Sequence, residues 1–243
     1  MTGRVGRSQP EAYDWEKLLA HAAILQAKVP SAVLVGGTAA ALHAGHRISF
    51  DHDHVLADLS RHYDEATTAL ESIAGWKTKR RIRGKLILGE FGHIDAGLRN
   101  LRRSAPLETT TITTGEGKKL TLPTIEEMLR IKAFLLVQRN ATRDYLDVAA
   151  LSDHLGLPKN ARALDEMGRL YAEFAGEGGD ILLSIVLKLT HPDPYDLTDV
   201  DLNEYKGIIA PWNDWHAVET ECRKLALALL ASPPGDQQQA SPA

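Results

Sequence analysis

The sequence predicts an α+β fold with strands and helices in its first half and helices alone in its second. Short apolar segments bounded by glycine or proline continue up to Pro123 and are typical of strands. Beyond it, Thr124 and Glu127 form a capping box ahead of apolar residues at helical spacing. We therefore expect a sheet-containing domain over 13–123, a helical domain over 124–231, and disordered ends at 1–12 and 232–243.

Local signals place the elements in order along the chain. Apolar runs and alternation indicate strands, and apolar residues at 3.6-residue spacing indicate helices. Phe91-Gly92 and the segment 115–117 are typical of hairpin turns. Strands are expected at 31–35, 49–56, 85–90, 93–98, 109–114 and 119–122, and helices at 15–28, 38–44, 61–74, 124–139, 143–156, 160–175, 178–189 and 212–231.

Composition excludes several classes of protein. The chain of 243 residues has a formal net charge of −4, so it is no general binder of polyanions. Cys222 is its only cysteine, which excludes an internal disulfide and a cysteine-based zinc site. The first ten residues lack the apolar core of a secretory signal, and the apolar stretch 181–189 is short and contains Lys188. We therefore expect a cytoplasmic protein without a membrane partner.

A glycine pair, Gly36-Gly37, ends the first apolar run and is followed by Thr38 and an alanine-rich segment. Glycine lets backbone N–H groups approach phosphate oxygens closely, and a following helix adds the positive end of its dipole. This order indicates a phosphate-binding turn. The alternative is an ordinary turn between a strand and a helix.

Two aspartates, Asp51 and Asp53, lie two positions apart in the second predicted strand. Both therefore project from one face of the strand, while His52 and His54 point to the other. Because neighbouring carboxylates repel each other, a divalent cation such as Mg²⁺ or Mn²⁺ is their usual partner. Beside a phosphate-binding turn, this pair predicts a site for a metal ion and a nucleoside triphosphate (NTP). The alternative is a solvated strand edge.

Other residues extend this predicted site. Asp95, in the strand expected at 93–98, supplies a third carboxylate if its strand lies beside that of Asp51, and it could serve as a base. Otherwise Asp95 merely ends a strand. Ser49 and Arg47 share the face of Asp51 and could contact a phosphate.

Lys132 interrupts the apolar stripe of the helix expected over 124–139. A lysine there either extends to solvent or meets an anion, and over the site it would neutralise triphosphate charge. Arg139 lies on the same face, about two turns further on. Asp144 and Asp147 share one face of the next helix and could order Lys132 or Arg139 by ion pairing.

Four short motifs follow one another in the order Gly36-Gly37-Thr38, 46–53, 132–139 and 143–147, the second reading His-Arg-Ile-Ser-Phe-Asp-His-Asp. In this order they resemble the motifs of the AbiEii/MenA group of nucleotidyltransferase-like toxins, in the DNA-polymerase-β superfamily. The resemblance covers residues 31–151.

This resemblance implies a minimal nucleotidyltransferase fold, in which a polymerase-β-like mixed sheet with flanking helices precedes a helical domain. It implies metal binding by Asp51 and Asp53, triphosphate contacts from Gly37, Ser49 and Lys132, and a supporting or catalytic carboxylate at Asp144. Family members of known activity add nucleotides to the 3′ end of tRNA, block translation, and are commonly encoded with a separate antitoxin. We therefore expect a Mg²⁺-dependent enzyme that transfers NMP from an NTP to the tRNA 3′ end, as the toxin of a type IV-like toxin–antitoxin or phage-defence system.

The predicted site thus has three overlapping groups of residues. The catalytic group is Asp51, Asp53, Asp95, Lys132 and Asp144. The metal group is Asp51, Asp53 and Asp95. The nucleotide-binding group is Gly36, Gly37, Thr38, Arg47, Ser49, Lys132 and Arg139.

A basic run lies between the strands of the site, at Lys77, Lys79, Arg80, Arg81, Arg83 and Lys85, and Arg99, Arg102 and Arg103 follow it. A basic patch beside the site would suit an RNA acceptor, with contacts from Lys79, Arg80, Arg81 and Arg83. The alternative is an edge strand protected by charge.

Two other functions stay open on the sequence. A nucleotidyltransferase could instead use a small-molecule acceptor, such as an aminoglycoside-like amine or hydroxyl. A protein with this fold could also hold a nucleotide or a partner protein without turnover.

Overall fold

The computed structural model describes residues 15–174 and 180–231, so the ends expected to be disordered lie outside the described residues. Two short 3₁₀ helices cover Ala172–Phe174 and Leu202–Glu204. The strands are β1 Val33–Val35, β2 Asp51–Leu56, β3 Trp76–Ile82, β4 Leu86–Phe91, β5 Ile94–Asn100, β6 Thr109–Thr113 and β7 Lys119–Pro123. The α-helices are α1 Trp15–Lys28, α2 Gly36–Ala44, α3 Tyr63–Glu71, α4 Ile125–Arg139, α5 Thr142–Leu155, α6 Leu157–Asp165, α7 Met167–Leu170, α8 Ile181–Thr190 and α9 Trp215–Ala231.

A five-stranded mixed sheet in the order β1-β2-β5-β4-β3 forms the centre of the first half. β2 and β5 run parallel, and the other neighbours are antiparallel. The register pairs Asp51 with Asp95 and Asp53 with Gly97. Because paired residues of neighbouring strands point to the same face, the three aspartates share one face of the sheet.

The other face of the sheet packs on a hydrophobic core. His52 and His54 are fully buried there, as the alternation along β2 predicts. Their surroundings include Leu98 of β5, and α1 and α3 close this core with Leu25 and Leu70. One face of the sheet is therefore buried. The other face, which carries Asp51, Asp53 and Asp95 and which we call the open face, is left available for a ligand.

The larger core connects the two halves of the chain. It joins Leu18 of α1 and Leu34 of β1 to Met128 of α4, Tyr145 of α5 and Leu225 of α9. β6 and β7 form a separate two-stranded sheet. The helical region starts with α4 at Ile125, and the larger core continues across residue 123, so the division into two domains there stays a prediction.

The predicted fold class, a mixed sheet with flanking helices followed by a helical region, is confirmed. The hairpin turn expected at Phe91-Gly92 lies instead at Gly92 and His93, which both have positive φ, so Phe91 belongs to β4. The helix expected over 160–175 is divided between α6, α7 and a 3₁₀ turn. Within 15–174 and 180–231, no helix is both long enough and apolar enough to cross a membrane.

Candidate active site

A cavity of about 250 Å³ opens on the face of the sheet that carries the aspartates. Its lining combines carboxylates, cations and small or apolar residues. These residues are Asp51, Asp53, Asp95, Lys79, Arg80, Arg99, Leu88, Gly89 and Ala96. The cavity thus brings together the three carboxylates that were predicted as metal ligands and catalytic groups.

Asp53 fits a space that two glycines leave open. A Cβ atom on Gly97 would collide with Asp53 Oδ1, and one on Gly36 would lie 3.4 Å from the Cβ of Asp53. Arg99 Nε lies 3.6 Å from Asp53 Oδ1. Burial raises the pKa of Asp53; Arg99 opposes the rise, and the charge of Asp51 adds to it. A cation bound at this pair would relieve the unfavourable charge of the two carboxylates.

Asp51 is exposed at the start of β2 and is fixed from two directions. Ser49 Oγ donates a hydrogen bond of 2.9 Å to Asp51 Oδ1. Thr38 Oγ1 donates one of 2.5 Å to the backbone oxygen of Asp51. Thr38 is buried, so its hydroxyl ties α2 to β2. The predicted nucleotide contact at Thr38 could therefore come only from its backbone.

The glycine pair opens α2, which begins two residues earlier than expected. Gly36 has a φ of 76°, a left-handed conformation that favours glycine. A Cβ atom on Gly37 would lie 2.6 Å from Arg47 Nη2 and 2.9 Å from Ser49 Oγ. The absence of a side chain at Gly37 therefore lets Arg47 and Ser49 approach the first turn of the helix, beside Asp53. This arrangement is suited to a phosphate.

A buried cluster around Asp147, which we call the Asp147 cluster, lies behind this turn. Arg47 donates to the Asp147 carboxylate through Nε at 2.9 Å and Nη2 at 3.1 Å, and His46 Nε2 lies 2.8 Å from Oδ1. Lys132 Nζ lies 2.6 Å from Oδ2. Burial alone would raise the pKa of Asp147, but the charges of Arg47 and Lys132 and the His46 hydrogen bond hold it well below its usual range. Lys132 therefore meets an anion and does not extend to solvent.

Asp144 forms a second buried ion pair. Arg139 donates to its carboxylate through Nε at 3.0 Å and Nη2 at 2.6 Å, and Lys132 Nζ lies 3.9 Å from Oδ1. The ion pairing expected from the i, i+3 spacing is therefore present, with Arg139 on Asp144 and Lys132 on Asp147. Neither Asp144 nor Lys132 belongs to the described cavity lining. Both can support the site from behind.

The metal prediction rests on two carboxylates in this arrangement. Across residues 15–174 and 180–231, no three His, Cys, Asp or Glu side chains are grouped as metal ligands. Asp95 is directed at Lys79, whose Nζ lies 2.6 Å from Oδ1. Mg²⁺ is commonly held by one or two carboxylates together with substrate phosphates. Asp51 and Asp53 fit that environment, and a ligand role for Asp95 stays a prediction.

Most of the basic run lies on β3, the edge strand of the sheet, and Arg83 and Lys85 lie in the turn before β4. Most of its charges are paired with carboxylates, as the edge-strand alternative expects. Arg80 is exposed and lines the cavity. Arg103 is buried and its Nη2 lies 2.8 Å from Glu127, so it does not extend a basic surface. The ion pairs along the run are Lys77–Glu90, Lys79–Glu90, Lys79–Asp95, Arg81–Glu71 and Arg83–Asp64.

Two features of the site were not predicted from the sequence pattern. Gly97 leaves room for Asp53, and the signal was available, because a glycine inside a strand often marks a close approach. Lys79 is the extra residue where the register between β3 and β4 shifts, between Thr78 and Arg80. No glycine or proline in β3 marks this bulge.

Comparison with curated proteins gives a partial match. No family model matches the chain. The chain is 34% identical over 129 residues to the heme uptake protein MmpL11 of Mycobacterium tuberculosis, which covers 53% of this chain and 13% of that protein. The chain thus spans about an eighth of the length of this relative.

Solved structures that resemble the chain include nucleotidyltransferases. A Helicobacter pylori protein proposed to be a nucleotidyltransferase has a TM-score of 0.49 and 19% identity, covering 88% of this chain and 93% of its own. ANT(2″)-Ia, solved in complex with adenylyl-2″-tobramycin, has a TM-score of 0.49 and 12% identity, covering 66% of this chain and 98% of its own. At these values the function must be argued from the site itself.

Proposed function

We propose that the protein is a Mg²⁺-dependent nucleotidyltransferase that moves NMP from an NTP to an acceptor. The observation that carries the proposal is the position of Asp51 and Asp53. Both lie on the open face of β2, both line the cavity, and the first turn of α2 lies beside them. A pair of oxygen ligands next to a phosphate-binding turn is what binding of a metal–triphosphate requires.

In this proposal Asp51 and Asp53 hold Mg²⁺ (or Mn²⁺). The ion, when bound, supplies Lewis-acid stabilisation of charge on the triphosphate. Gly36, Gly37 and Ser49 receive phosphate oxygens at the start of α2. Ser49 currently donates to Asp51, so its hydroxyl would turn from that carboxylate to a phosphate.

The cations behind the turn have a supporting role. Arg47 lies within reach of Gly37 while its guanidinium is anchored by Asp147. The charge of Lys132 lowers the pKa of Asp53, so Lys132 favours the ionised carboxylate that a metal needs. The Arg139–Asp144 ion pair joins the end of α4 to the start of α5, and neither residue lines the cavity.

Asp95 is the proposed base. The acceptor hydroxyl attacks the α-phosphorus of the NTP, its proton passes to the Asp95 carboxylate, and the bond to pyrophosphate breaks. Asp95 lies opposite Asp51 in the parallel register, on the face where the attacking oxygen would enter. Lys79 Nζ lies 2.6 Å from Asp95 Oδ1, so the proton would pass to the other carboxylate oxygen, or to Oδ1 after its release from Lys79.

The proposed acceptor is the 3′ end of tRNA, with the protein acting in the cytoplasm as a toxin that a separately encoded antitoxin controls. Arg80 in the cavity lining supports an anionic acceptor, whereas Lys79 and Arg99 beside it are paired with Asp95 and Asp53. A polycationic aminoglycoside would meet the charge of Arg80 with repulsion. Arg81 and Arg83, which we had also predicted as RNA contacts, are held by carboxylates of α3 and would contribute less.

The test is incubation of the protein with each NTP radiolabelled at its α-phosphate, Mg²⁺ and total tRNA. We expect label on tRNA with one or more NTPs, and a loss of at least about 100-fold in Asp51→Asn. Asp153→Asn, which removes an exposed carboxylate from α5, is the matched control and should retain transfer.

The other outcomes identify the alternatives. Label on an aminoglycoside supplied in place of tRNA would show a small-molecule acceptor. Thermal stabilisation by Mg²⁺–NTP that requires Asp51, without product on any acceptor, would show a binding module. Transfer that survives Asp51→Asn would contradict the site.

A further inference from the structure

Lys79 lies at the cavity, next to an irregularity in the edge strand. Thr78 pairs with Gly89 and Arg80 with Leu88, so Lys79 is left between them without a partner on β4. Because of this β-bulge, two consecutive residues of β3, Lys79 and Arg80, both line the cavity.

The bulge is supported by tight packing at its base. A Cβ atom on Gly89 would lie 2.5 Å from the ring of Trp76 and 2.7 Å from the backbone oxygen of Lys77. The Trp76 ring nitrogen donates to Thr78 Oγ1 at 2.9 Å. Glycine at 89 therefore lets β3 approach β4 closely at the residues that precede Lys79.

The ammonium of Lys79 lies between two carboxylates. Its Nζ is 2.6 Å from Asp95 Oδ1 and 3.0 Å from Glu90 Oε2. Glu90 and Asp95 are direct cross-strand partners on β4 and β5. Asp95 is in turn the register partner of Asp51. A positive charge of the chain itself thus neutralises the carboxylate nearest to the proposed metal ligands.

We infer that Lys79 is a positioning residue that holds Asp95 as a counter-ion and is displaced when a divalent cation binds beside Asp51. This inference rests on the proposed metal site. In the absence of metal, Lys79 limits the repulsion among the carboxylates of the face and keeps Asp95 turned toward β3. Lys79 therefore weakens metal binding and raises the concentration of divalent cation that is needed to occupy the site.

The experiment measures Mn²⁺ binding to the full chain without nucleotide, by electron paramagnetic resonance of the free ion. Lys79→Met removes the charge and keeps most of the apolar stem. Lys77→Met is the matched control, since it removes a charge from the same strand. Among the described residues, Lys77 Nζ pairs only with Glu90, at 3.3 Å. Both variants are also made with Asp95→Asn, and Asp51→Asn in the wild-type and Lys79→Met proteins shows whether the bound Mn²⁺ depends on Asp51.

We expect Lys79→Met to bind Mn²⁺ roughly three- to tenfold more tightly than the wild type, as Coulomb attraction between charges a few ångström apart in water implies. Lys77→Met should change the affinity by less than about twofold, because the Lys77 ammonium pairs with Glu90 and does not hold Asp95. In the Asp95→Asn background, the gain from Lys79→Met should disappear.

Equal affinity of Lys79→Met and Lys77→Met, or weaker binding by Lys79→Met, would overturn the inference while leaving the metal site intact. A gain that persists with Asp95→Asn would also overturn it, since the effect would then be general charge. Wild-type and Lys79→Met proteins that show no Asp51-dependent Mn²⁺ binding would overturn the metal site itself.

Discussion

Two sets of ion pairs in this molecule use the same residue types in opposite environments. On the open face of the sheet, the Asp95 and Lys79 side chains are 68% and 51% exposed, and Asp53 is 31% exposed. In the Asp147 cluster, Asp147 is fully buried and Lys132 is 3% exposed. Water competes for the first set and is excluded from the second.

The difference separates pairs that can exchange partners from pairs that build the fold. An exposed ion pair contributes little to stability, so its carboxylate can give up its lysine partner at small cost. When one partner of a buried ion pair is removed, the charge of the other partner stays buried without compensation. We therefore expect variants of the Asp147 cluster to affect folding first and variants of the open face to affect ligands first.

The largest stability effect is expected for Asp147→Asn. The substitution leaves Arg47 and Lys132 buried without their carboxylate, and breaking a buried pair from one side costs about 3–5 kcal/mol. Urea unfolding of the wild type and the variant measures the loss. Asp153→Asn, on the exposed side of the same helix, should unfold at the wild-type midpoint, and an equal midpoint for Asp147→Asn would show that the cluster does not build the fold.

The same pair of proteins should respond differently to acid. Because the pKa of Asp147 lies below its ordinary value of 3.8 in the folded state, its contribution to stability is complete above about pH 5 and is lost as the pH falls through the folded value. The stability gap between wild type and Asp147→Asn should therefore narrow as the pH falls below about 4. Urea titrations at pH 7 and pH 3 measure the gap; a gap that widens in acid would contradict the assignment.

Gly97→Ala should affect the open face with little change in folding. The new methyl group collides with Asp53 Oδ1, and a displaced catalytic group of this kind can cost about 10²-fold in rate. Nucleotide transfer and Mn²⁺ binding should both fall. Gly168→Ala is the control, because its Cβ would meet only Asp180 Oδ1 at 3.6 Å. Unchanged transfer by Gly97→Ala would mean that the position of Asp53 is not critical.

The smallest effect is expected for Arg80→Ala. Arg80 lines the cavity and Arg81 is paired with Glu71, so only the first is positioned for an acceptor phosphate. If one phosphate contact is lost, the plot of log affinity for tRNA against log salt should become less steep, with a slope smaller in magnitude by about 1. Arg81→Ala should leave that slope unchanged. Equal slopes for both variants would remove the distinction between cavity and edge.

The open face was predictable because it depends on the period of a strand. Asp51 and Asp53 share a face, and His52 and His54 share the other, whatever the strands around them do. The neighbouring position of Asp95 required an assumption about strand order, and the parallel register of β2 and β5 confirms it.

The buried pairs were only half predictable. Thr124 accepts from the backbone N–H of Glu127, as a capping box requires, at 3.2 Å. The carboxylate of Glu127 does not return to the helix start, because Arg103 and Arg130 bind it in the core. Partners distant in sequence decide such contacts, and local spacing carries no information about them. The bulge at Lys79 is hidden for the same reason, since it is a property of two strands together.

Transfer of label from an α-labelled NTP by Asp53→Asn, with its urea midpoint recorded in parallel, tests the open carboxylate face most directly. We expect transfer to fall by at least about 100-fold while the midpoint stays near that of the wild type. Wild-type transfer by Asp53→Asn would show that the open carboxylate face does not bind the metal. A large loss of stability in that variant would show that the open face, too, belongs to the framework of the fold.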